Sequence, residues 1–185
     1  MAIDDLFKPQ KTLKQATEEF QRELKDNHAA ICQLCSKRTT IWKRWLSATL
    51  IKPLIVLYHH DRQHPGEWKH LVGDVNYSTL GVDYGKLIHF GLIENMSKEL
   101  KKQGKPYKRK DGNPCAGKYR ITELGRSFVR GEVKIRDHVY VLDNSVIEVQ
   151  GDTFTLIDVR QALGKEFNYD ELMASVRPVS ASSGA

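Results

Sequence analysis

Two cysteines three positions apart, Cys32 and Cys35, are the clearest candidates for chemistry in this sequence. This spacing lets two thiolates share one tetrahedral zinc ion, and a closed structural site then needs two further ligands. His28, one helical turn earlier, and Cys115, far along the chain, complete the predicted zinc set. Two alternatives stay open: free cysteines in a degenerate knuckle, or a redox pair, although no βαβ pattern surrounds the motif.

Two further patterns suggest enzyme chemistry and are rejected. Residues 112–118 match the Gly-x-x-x-x-Gly-Lys loop that binds phosphates, but the next position is Tyr119 instead of Ser or Thr, and a strand is predicted to follow. Three histidines and an aspartate within residues 59–64 could hold a metal or act in a nuclease. Without a carboxylate pair and a lysine partner, a solvated helix end is the preferred interpretation. The sequence therefore predicts a protein without catalytic activity.

The positive charge of the chain is concentrated in one segment. The whole chain carries +6, whereas residues 98–126 contain ten basic and three acidic residues, which leaves a charge of −1 for the rest. Eight of these cations lie within residues 98–118, against Glu99 and Asp111. Such clustering indicates contact with a polyanion, through phosphates or in a minor groove of DNA. The alternative is a solvated charged loop.

A polar helix is predicted over residues 10–27 at the N-terminal end. Leu6, Leu13 and Phe20 lie seven residues apart, and Leu24 occupies an intermediate position, so that these side chains form a narrow apolar stripe. Such a stripe suits pairing with another helix, so the sequence predicts a homodimer through residues 10–27. The alternative is a helix laid across its own domain.

The middle of the chain alternates helical and strand patterns. A helix is predicted from the cap Ser47 to about residue 60, with a kink or restart at Pro53. Another is predicted from the cap Ser78 to Gly91, which suits the left-handed end of a helix. The other predicted elements are a strand at 38–45, a short helix at 67–72, a strand from residue 92, a long loop at 98–118, a strand at 118–122, and a helix at 123–130 that Thr122 caps and Gly131 ends.

This order, three helices followed by a strand, a basic loop and a strand, resembles a winged helix. Phe90-Gly-Leu-Ile-Glu94 is similar to the end of a recognition helix, and Tyr119-Arg-Ile-Thr-Glu-Leu-Gly-Arg126 is similar to the second wing strand of MarR- and PadR-like regulators. The resemblance spans residues 47–131 and implies DNA binding by a recognition helix and a basic wing. On the exposed side of the expected recognition helix, Asp83 and His89 are predicted to accompany the DNA contacts. The expected DNA contacts on this helix and on the wing are Ser78, Thr79, Lys86, Lys101, Lys102, Lys105, Lys108, Arg109, Lys110, Lys118 and Arg120.

The C-terminal part changes pattern again. A hairpin is predicted over residues 139–149, a capped helix over residues 155–163 ending at Gly164, and a turn over residues 167–173. Together with the Cys-x-x-Cys motif, this layout resembles small proteins of bacteriophages and prophages. The expected fold is α+β, a winged helix-turn-helix core with an N-terminal helix and a small C-terminal hairpin and helix. The predicted segments are 1–30 (helix), 31–46 (cysteine knuckle and strand), 47–131 (winged helix), 132–174 (hairpin and helix) and 175–185 (disordered tail).

Composition restricts the class of protein further. With 40% hydrophobic and 28% charged residues over 185 positions, the chain has a folding composition. Its longest apolar run is interrupted by Lys52 and Pro53, and its first residues lack the pattern of a signal peptide. We therefore expect a protein of the bacterial cytoplasm without a membrane partner, and three cysteines exclude a fully paired disulfide framework.

The predicted function is non-catalytic DNA binding, as a phage-type regulator of transcription or a DNA-transaction factor. The alternative is a phage-encoded module that docks on a host protein. The expected partners are duplex DNA, a second copy of the chain, or that host protein. Structural zinc is the cofactor that the sequence leaves open.

Overall fold

The chain folds as a mixed α+β protein with small antiparallel sheets, in agreement with the predicted class. The computed structural model describes residues 11–70, 84–104, 117–165 and 167–174. The helices there are α1 (Leu13–Asn27), α2 (Ala48–Gln63), the 3₁₀ helix η1 (Tyr84–Ile88), α3 (Met96–Lys102), α4 (Glu123–Val129), α5 (Val159–Leu163) and α6 (Tyr169–Ala174). The strands there are β1 (Ala29–Ile31), β2 (Arg38–Thr40), β3 (Trp42–Trp45), β4 (Lys69–His70), β5 (Ile93–Asn95), β6 (Lys118–Ile121), β7 (Ile135–Arg136), β8 (His138–Leu142), β9 (Ser145–Ile147) and β10 (Leu156–Ile157).

Two compact units divide the chain. The first consists of Met1–Lys43 and Tyr140–Asp152, and the second of Arg44–Val139 and Thr153–Ala185. Each unit thus combines stretches that are distant in sequence, because the chain passes between the units three times: within β3, within β8 and after Asp152. The consecutive segments predicted from the sequence do not contain this combination.

Helix α1 opens the first unit close to its predicted position. Its cap is Thr12, whose side-chain oxygen accepts a hydrogen bond from the Gln15 N–H, while the Gln15 side chain accepts one from the Thr12 N–H. Ala16 is the buried residue of this helix, and Leu13 is 67% exposed. Of the predicted apolar stripe, Leu13 is thus exposed, whereas Phe20 and Leu24 are half-buried on the side of Ala16. The first member, Leu6, lies outside the described residues.

An antiparallel hairpin of β1 and β2 follows α1, with Ala30 opposite Thr39. The sequence predicts one strand over residues 38–45, but Ile41 separates β2 from β3. The Ile41 N–H donates a hydrogen bond to the His28 carbonyl, 2.7 Å away, which is the next position of the β1–β2 register, so Ile41 marks the end of this ladder. Strand β1 was missed because three residues are too few to show a period.

The second hairpin, β8 and β9, confirms the prediction for residues 139–149. Tyr140 pairs with Ile147, and Leu142 with Ser145. The two turn residues between the strands, Asp143 and Asn144, have φ values of 47° and 63°. A two-residue turn with both residues in this region matches the right-handed twist of the paired strands, and Asp and Asn tolerate it well.

Helix α2 forms the core of the second unit. Its buried side includes Ile51, Leu54 and Leu57, none more than 1% exposed. Of the kink or restart predicted at Pro53, the restart is wrong, because the helix continues unbroken through that residue. Proline removes the hydrogen bond to the carbonyl four residues earlier, here that of the exposed Thr49, where water can replace it.

A three-stranded antiparallel sheet in the order β4-β6-β5 lies in the same unit. Lys69 of β4 pairs with Tyr119, and Ile93 of β5 pairs with Ile121. The helix predicted over residues 67–72 is wrong at residues 69 and 70, which form β4, and residues 71 and 72 lie outside the described part. Pairing with β6 overrides the local helical pattern, as tertiary contacts commonly do for short segments.

The segment around the predicted recognition helix differs from the prediction in two respects. Its described end, Tyr84–Ile88, is a 3₁₀ helix, although Gly91 has the predicted left-handed conformation, with φ of 71°. The long loop predicted over residues 98–118 is wrong at its start, because α3 extends to Lys102. The Asn95 side chain caps α3 by accepting hydrogen bonds from the N–H groups of residues 97 and 98.

The remaining elements complete the second unit. Helix α4 is capped by Thr122, as predicted, with a hydrogen bond from the Gly125 N–H, and Gly131 follows with φ of 75°. The helix predicted over residues 155–163 begins only at Val159, because residues 156 and 157 pair with β7 as β10. Residues 169–174 form helix α6 instead of a turn, and the tail from residue 175 lies outside the described part.

Among the helices of the described ranges, none combines the length and apolar character needed to cross a membrane.

Candidate nucleic-acid interface

The sheet of the second unit has a buried face and a basic face. Ile121 is 2% exposed, and its neighbours along β6, Lys118 and Arg120, lie on the opposite face because strand side chains alternate. The Arg120 guanidinium lies 4.5 Å from the centre of the Trp68 ring and donates two hydrogen bonds to Glu94, at 2.9 and 2.8 Å. Arg120, a predicted DNA contact, is therefore already held by a carboxylate and an aromatic ring.

Trp68 and Glu94, which hold Arg120, are not among the residues that the sequence predicts for this site. Their contact with Arg120 depends on the register of β4, β6 and β5, which places Glu94 directly opposite Arg120. A cross-strand pair of opposite charges is a recognised stabilising arrangement, but it can be identified only once the register is known.

Helix α3 presents three exposed cations of the second unit. Lys98, Lys101 and Lys102 are all exposed and lie within about one turn of each other. In the part of the chain that the structure describes, no carboxylate lies within ion-pair distance of these three lysines. The acidic residue of the helix, Glu99, accepts a hydrogen bond from Gln103 at 3.0 Å. The first turns of the predicted wing thus offer cations that are available to an external anion.

Arg126, which follows β6 on helix α4, has a different role. Arg126 donates hydrogen bonds to both oxygens of Asp61, at 2.7 and 2.9 Å, and a third to Glu123 at 2.9 Å. Asp61 is 8% exposed and also accepts a hydrogen bond from the Gly66 N–H at 3.1 Å. The hydrogen bonds from Arg126 hold the pKa of Asp61 below its ordinary value. Arg126 therefore joins α4 to α2.

The histidines of α2 are more buried than a solvated helix end would be. His59 is 7% exposed, and the rings of His60 and His64 lie 5.1 Å apart, each with a nitrogen 3.7 Å from Glu67. Burial lowers the pKa of both His59 and His60. The preferred interpretation from sequence is therefore wrong for His59 and Asp61, which are packed into the unit, and it holds for His64, which is exposed.

The predicted recognition helix is described only at its end. Lys86 is half-buried on η1, beside the fully buried Leu87, and His89 is half-buried in the following turn. Tyr84 packs edge-on against Tyr119 of β6, with ring centres 5.1 Å apart, which joins η1 to the sheet. Six predicted DNA contacts lie outside the described residues: Ser78, Thr79, Lys105, Lys108, Arg109 and Lys110. Asp83 also lies outside them.

The predicted zinc ligands are brought together only in part. Cys32 and Cys35 lie on the turn between β1 and β2, and backbone hydrogen bonds lower the pKa of the Cys32 thiol. His28 is instead in edge-on contact with the Tyr140 ring, 5.4 Å between centres. Within the described ranges, no group of three or more His, Cys, Asp or Glu side chains is placed to hold a metal ion, and Cys115 lies outside them.

A groove of about 410 Å³ lies in the first unit, and no pattern in the sequence predicts it. Its walls are apolar side chains of α1 and of the hairpin β8–β9, including Leu24, Leu142 and Ile147, and its rim carries Lys25 and Glu148. The residues that form it are about 120 positions apart in sequence, so only the folded unit brings them together.

The chain matches no protein-family model, and neither a curated protein nor a solved structure is significantly similar to it.

Proposed function

We propose that this protein is a non-catalytic DNA-binding protein with a winged-helix domain, which acts as a phage-type regulator or DNA-transaction factor. The order of elements in the second unit supports the domain. The described elements occur in the order α2, β4, η1, β5, α3, β6 and α4, and the sheet order β4-β6-β5 pairs the last strand with both of the others. That order and pairing are those expected of a winged helix whose wing is the connection from β5 to β6.

The exposed lysines of α3 are the observation that carries the proposal. Lys98, Lys101 and Lys102 stand at the start of the connection between β5 and β6, whereas Arg120 and Arg126 in the same unit are bound to carboxylates. A cation that neutralises a phosphate releases condensed counterions from DNA, and a cation already bound to a carboxylate must first give up that ion pair. The α3 lysines are therefore the strongest described candidates for phosphate contacts.

Fluorescence anisotropy of a labelled duplex across a range of salt concentrations tests this assignment. Replacing Lys98, Lys101 and Lys102 with alanine is expected to weaken binding to every sequence alike. The slope of log affinity against log salt should become shallower by up to about 2.7, from about 0.9 per lost phosphate contact. Circular dichroism should remain native, because all three side chains are exposed.

A matched control separates local contact from net charge. Lys14, Arg22 and Lys25 are exposed cations of α1 in the first unit, and their replacement by alanine removes the same three charges. This control variant should retain the wild-type slope. If the slope of log affinity against log salt becomes shallower by the same amount in the control and in the α3 variant, the effect reflects the total charge of the chain. If neither changes it, the phosphate contacts do not involve α3.

Competition by unlabelled duplex and capture of proteins from a host lysate together test the alternative of a host-protein module. A DNA-binding protein releases the labelled duplex when unlabelled duplex is added. Capture of a host protein that persists after nuclease treatment, combined with no binding to duplex at low salt, would favour the protein-docking function instead.

A further inference from the structure

The Cys-x-x-Cys motif lies on a well-defined hairpin turn. The Cys32 N–H donates a hydrogen bond to the Lys37 carbonyl at 2.9 Å, and the Ser36 N–H donates one to the Cys32 carbonyl at 2.8 Å. Ser36 takes the left-handed conformation, with φ of 58°, which turns the chain back into β2. Cys35 is exposed, and Cys32 is half-buried. Two thiols are thus presented together at an accessible tip.

The backbone around Cys32 is arranged as in the outer shell of a metal-bound thiolate. The N–H groups of Leu34 and Cys35 hydrogen-bond to the Cys32 sulfur, which also interacts with the Cys35 thiol. Donors of this kind orient sulfur ligands and stabilise their negative charge. A reactive redox pair usually gains its thiolate from a helix N-terminus or a basic neighbour. Here the basic residues Lys37 and Arg38 follow the motif, but they lead into strand β2 and not into a helix N-terminus, and this favours metal ligation.

The hairpin alone provides half of a tetrahedral site. Structural zinc takes four ligands, and the described part of the chain assembles no third His, Cys, Asp or Glu beside Cys32 and Cys35. Apolar side chains flank the pair on the same tip: Leu34 is 69% exposed and Ile31 is 57% exposed. A second hairpin brought to this tip would supply two more thiolates and cover these side chains.

We propose that Cys32 and Cys35 bind one zinc ion together with the same two cysteines of a second copy of the chain. Four Zn–S bonds form, the four thiols give up their protons to solvent, and no oxidant or reductant is required. Leu34 and Ile31 lie in the contact between the two hairpins. This site is independent of the DNA-binding proposal, because it uses only the first unit.

Zinc content and assembly mass, measured on the full-length untagged chain, test the site. After dialysis against zinc and removal of the excess, we expect about half a zinc ion per chain, bound to an assembly with an even number of chains. Titration with cobalt(II) should give the strong near-ultraviolet absorption of cobalt–thiolate bonds, saturating at the same ratio. One ion per chain, zinc on a monomer, or no retained zinc would each overturn the proposal.

Serine variants assign the ligands. Cys32→Ser and Cys35→Ser should each abolish stoichiometric binding without unfolding the chain. The hydrogen bonds that close the turn, from the Cys32 N–H to Lys37 and from the Ser36 N–H to the Cys32 carbonyl, join backbone atoms, and serine keeps an acceptor at either position. Cys115→Ser makes the same chemical change at the third cysteine and should leave both the zinc ratio and the assembly unchanged. Loss of zinc in Cys115→Ser would instead place the site within one chain and refute the shared site.

Discussion

Replacing Arg126 with alanine leaves the buried carboxylate of Asp61 without its partner, and it should be one of the most damaging single changes in the second unit. The Asp61 side chain is 11% exposed and receives two hydrogen bonds from Arg126. Removing one partner of a buried ion pair costs about 3–5 kcal/mol. Because the Arg126 side chain is 27% exposed, we expect the lower end, about 3 kcal/mol. In urea this loss corresponds to a midpoint lower by about 1.5 M, for a slope of about 2 kcal/mol per molar.

Two further variants separate the lost charge pair from lost packing. Asp61→Asn keeps the oxygen that accepts from the Gly66 N–H and removes the charge, so the double variant with Arg126→Ala should be more stable than Arg126→Ala alone. Glu123→Ala removes the other partner of Arg126, but that carboxylate is 74% exposed, and the cost should be about 0.5 kcal/mol. Equal losses for Arg126→Ala and Glu123→Ala would refute this reasoning.

The same pair determines a pH dependence. Arg126 holds the pKa of Asp61 below its ordinary value, so the stabilisation is fully present at neutral pH. It is lost as the pH falls through the lowered pKa of Asp61. The difference between wild type and Arg126→Ala should therefore shrink in strong acid, because the variant's buried carboxyl group takes up a proton.

Three other changes test the packing, the buried histidines and the N-terminal helix. Gly125→Ala should destabilise the chain by about 2 kcal/mol or more in urea unfolding, since a Cβ there would lie 2.2 Å from the Leu92 carbonyl oxygen; a more stable variant would contradict this packing. The melting temperature should fall as the pH drops below the ordinary histidine pKa of 6.5, because burial lowers the pKa of His59 and His60 and the unfolded chain then binds protons that the folded chain does not. The double variant His59→Gln, His60→Gln should lose this decline. An unchanged decline would exclude these two residues as its cause. Leu13→Glu should dissociate a metal-free dimer in sedimentation without unfolding it, since this side chain is 67% exposed, and a wild-type chain that is monomeric without metal would end the helix-pairing prediction.

Local signals in the sequence identified the elements whose formation depends on their own residues. The cap at Thr122, the left-handed Gly91 and the turn at Asp143 were predicted because a side-chain acceptor, a missing Cβ or tolerance of positive φ is a property of the residue itself. The buried side of α2 was readable for a similar reason, since its period of 3.6 extends over sixteen residues.

Elements of two or three residues were missed because their formation depends on a distant partner. Strands β1, β4 and β10 have too few residues for an alternating pattern, and each exists through its ladder with β2, β6 or β7. Helix α3 was overlooked within a segment whose charge suggested a loop, although Asn95 is a good helix cap.

The sequence composition predicts where the cations are concentrated, but not which of them form ion pairs with carboxylates. The concentration of cations in residues 98–126 is visible in the sequence. Only the fold separates those already bound to carboxylates, such as Arg120 with Glu94, from the exposed lysines of α3. Ion pairing across a sheet depends on register, which no local pattern encodes.

The most direct test of the DNA-binding account is the binding of the wild-type chain to duplex DNA as the salt concentration rises. With about four phosphate contacts from the cations of residues 98–118, the log–log slope should be about −3.6, and unlabelled duplex should displace the label. The same slope should appear on unrelated sequences, because phosphate contacts carry no sequence information. A chain that does not bind duplex even at low salt, or that binds with a slope near zero, would contradict the account.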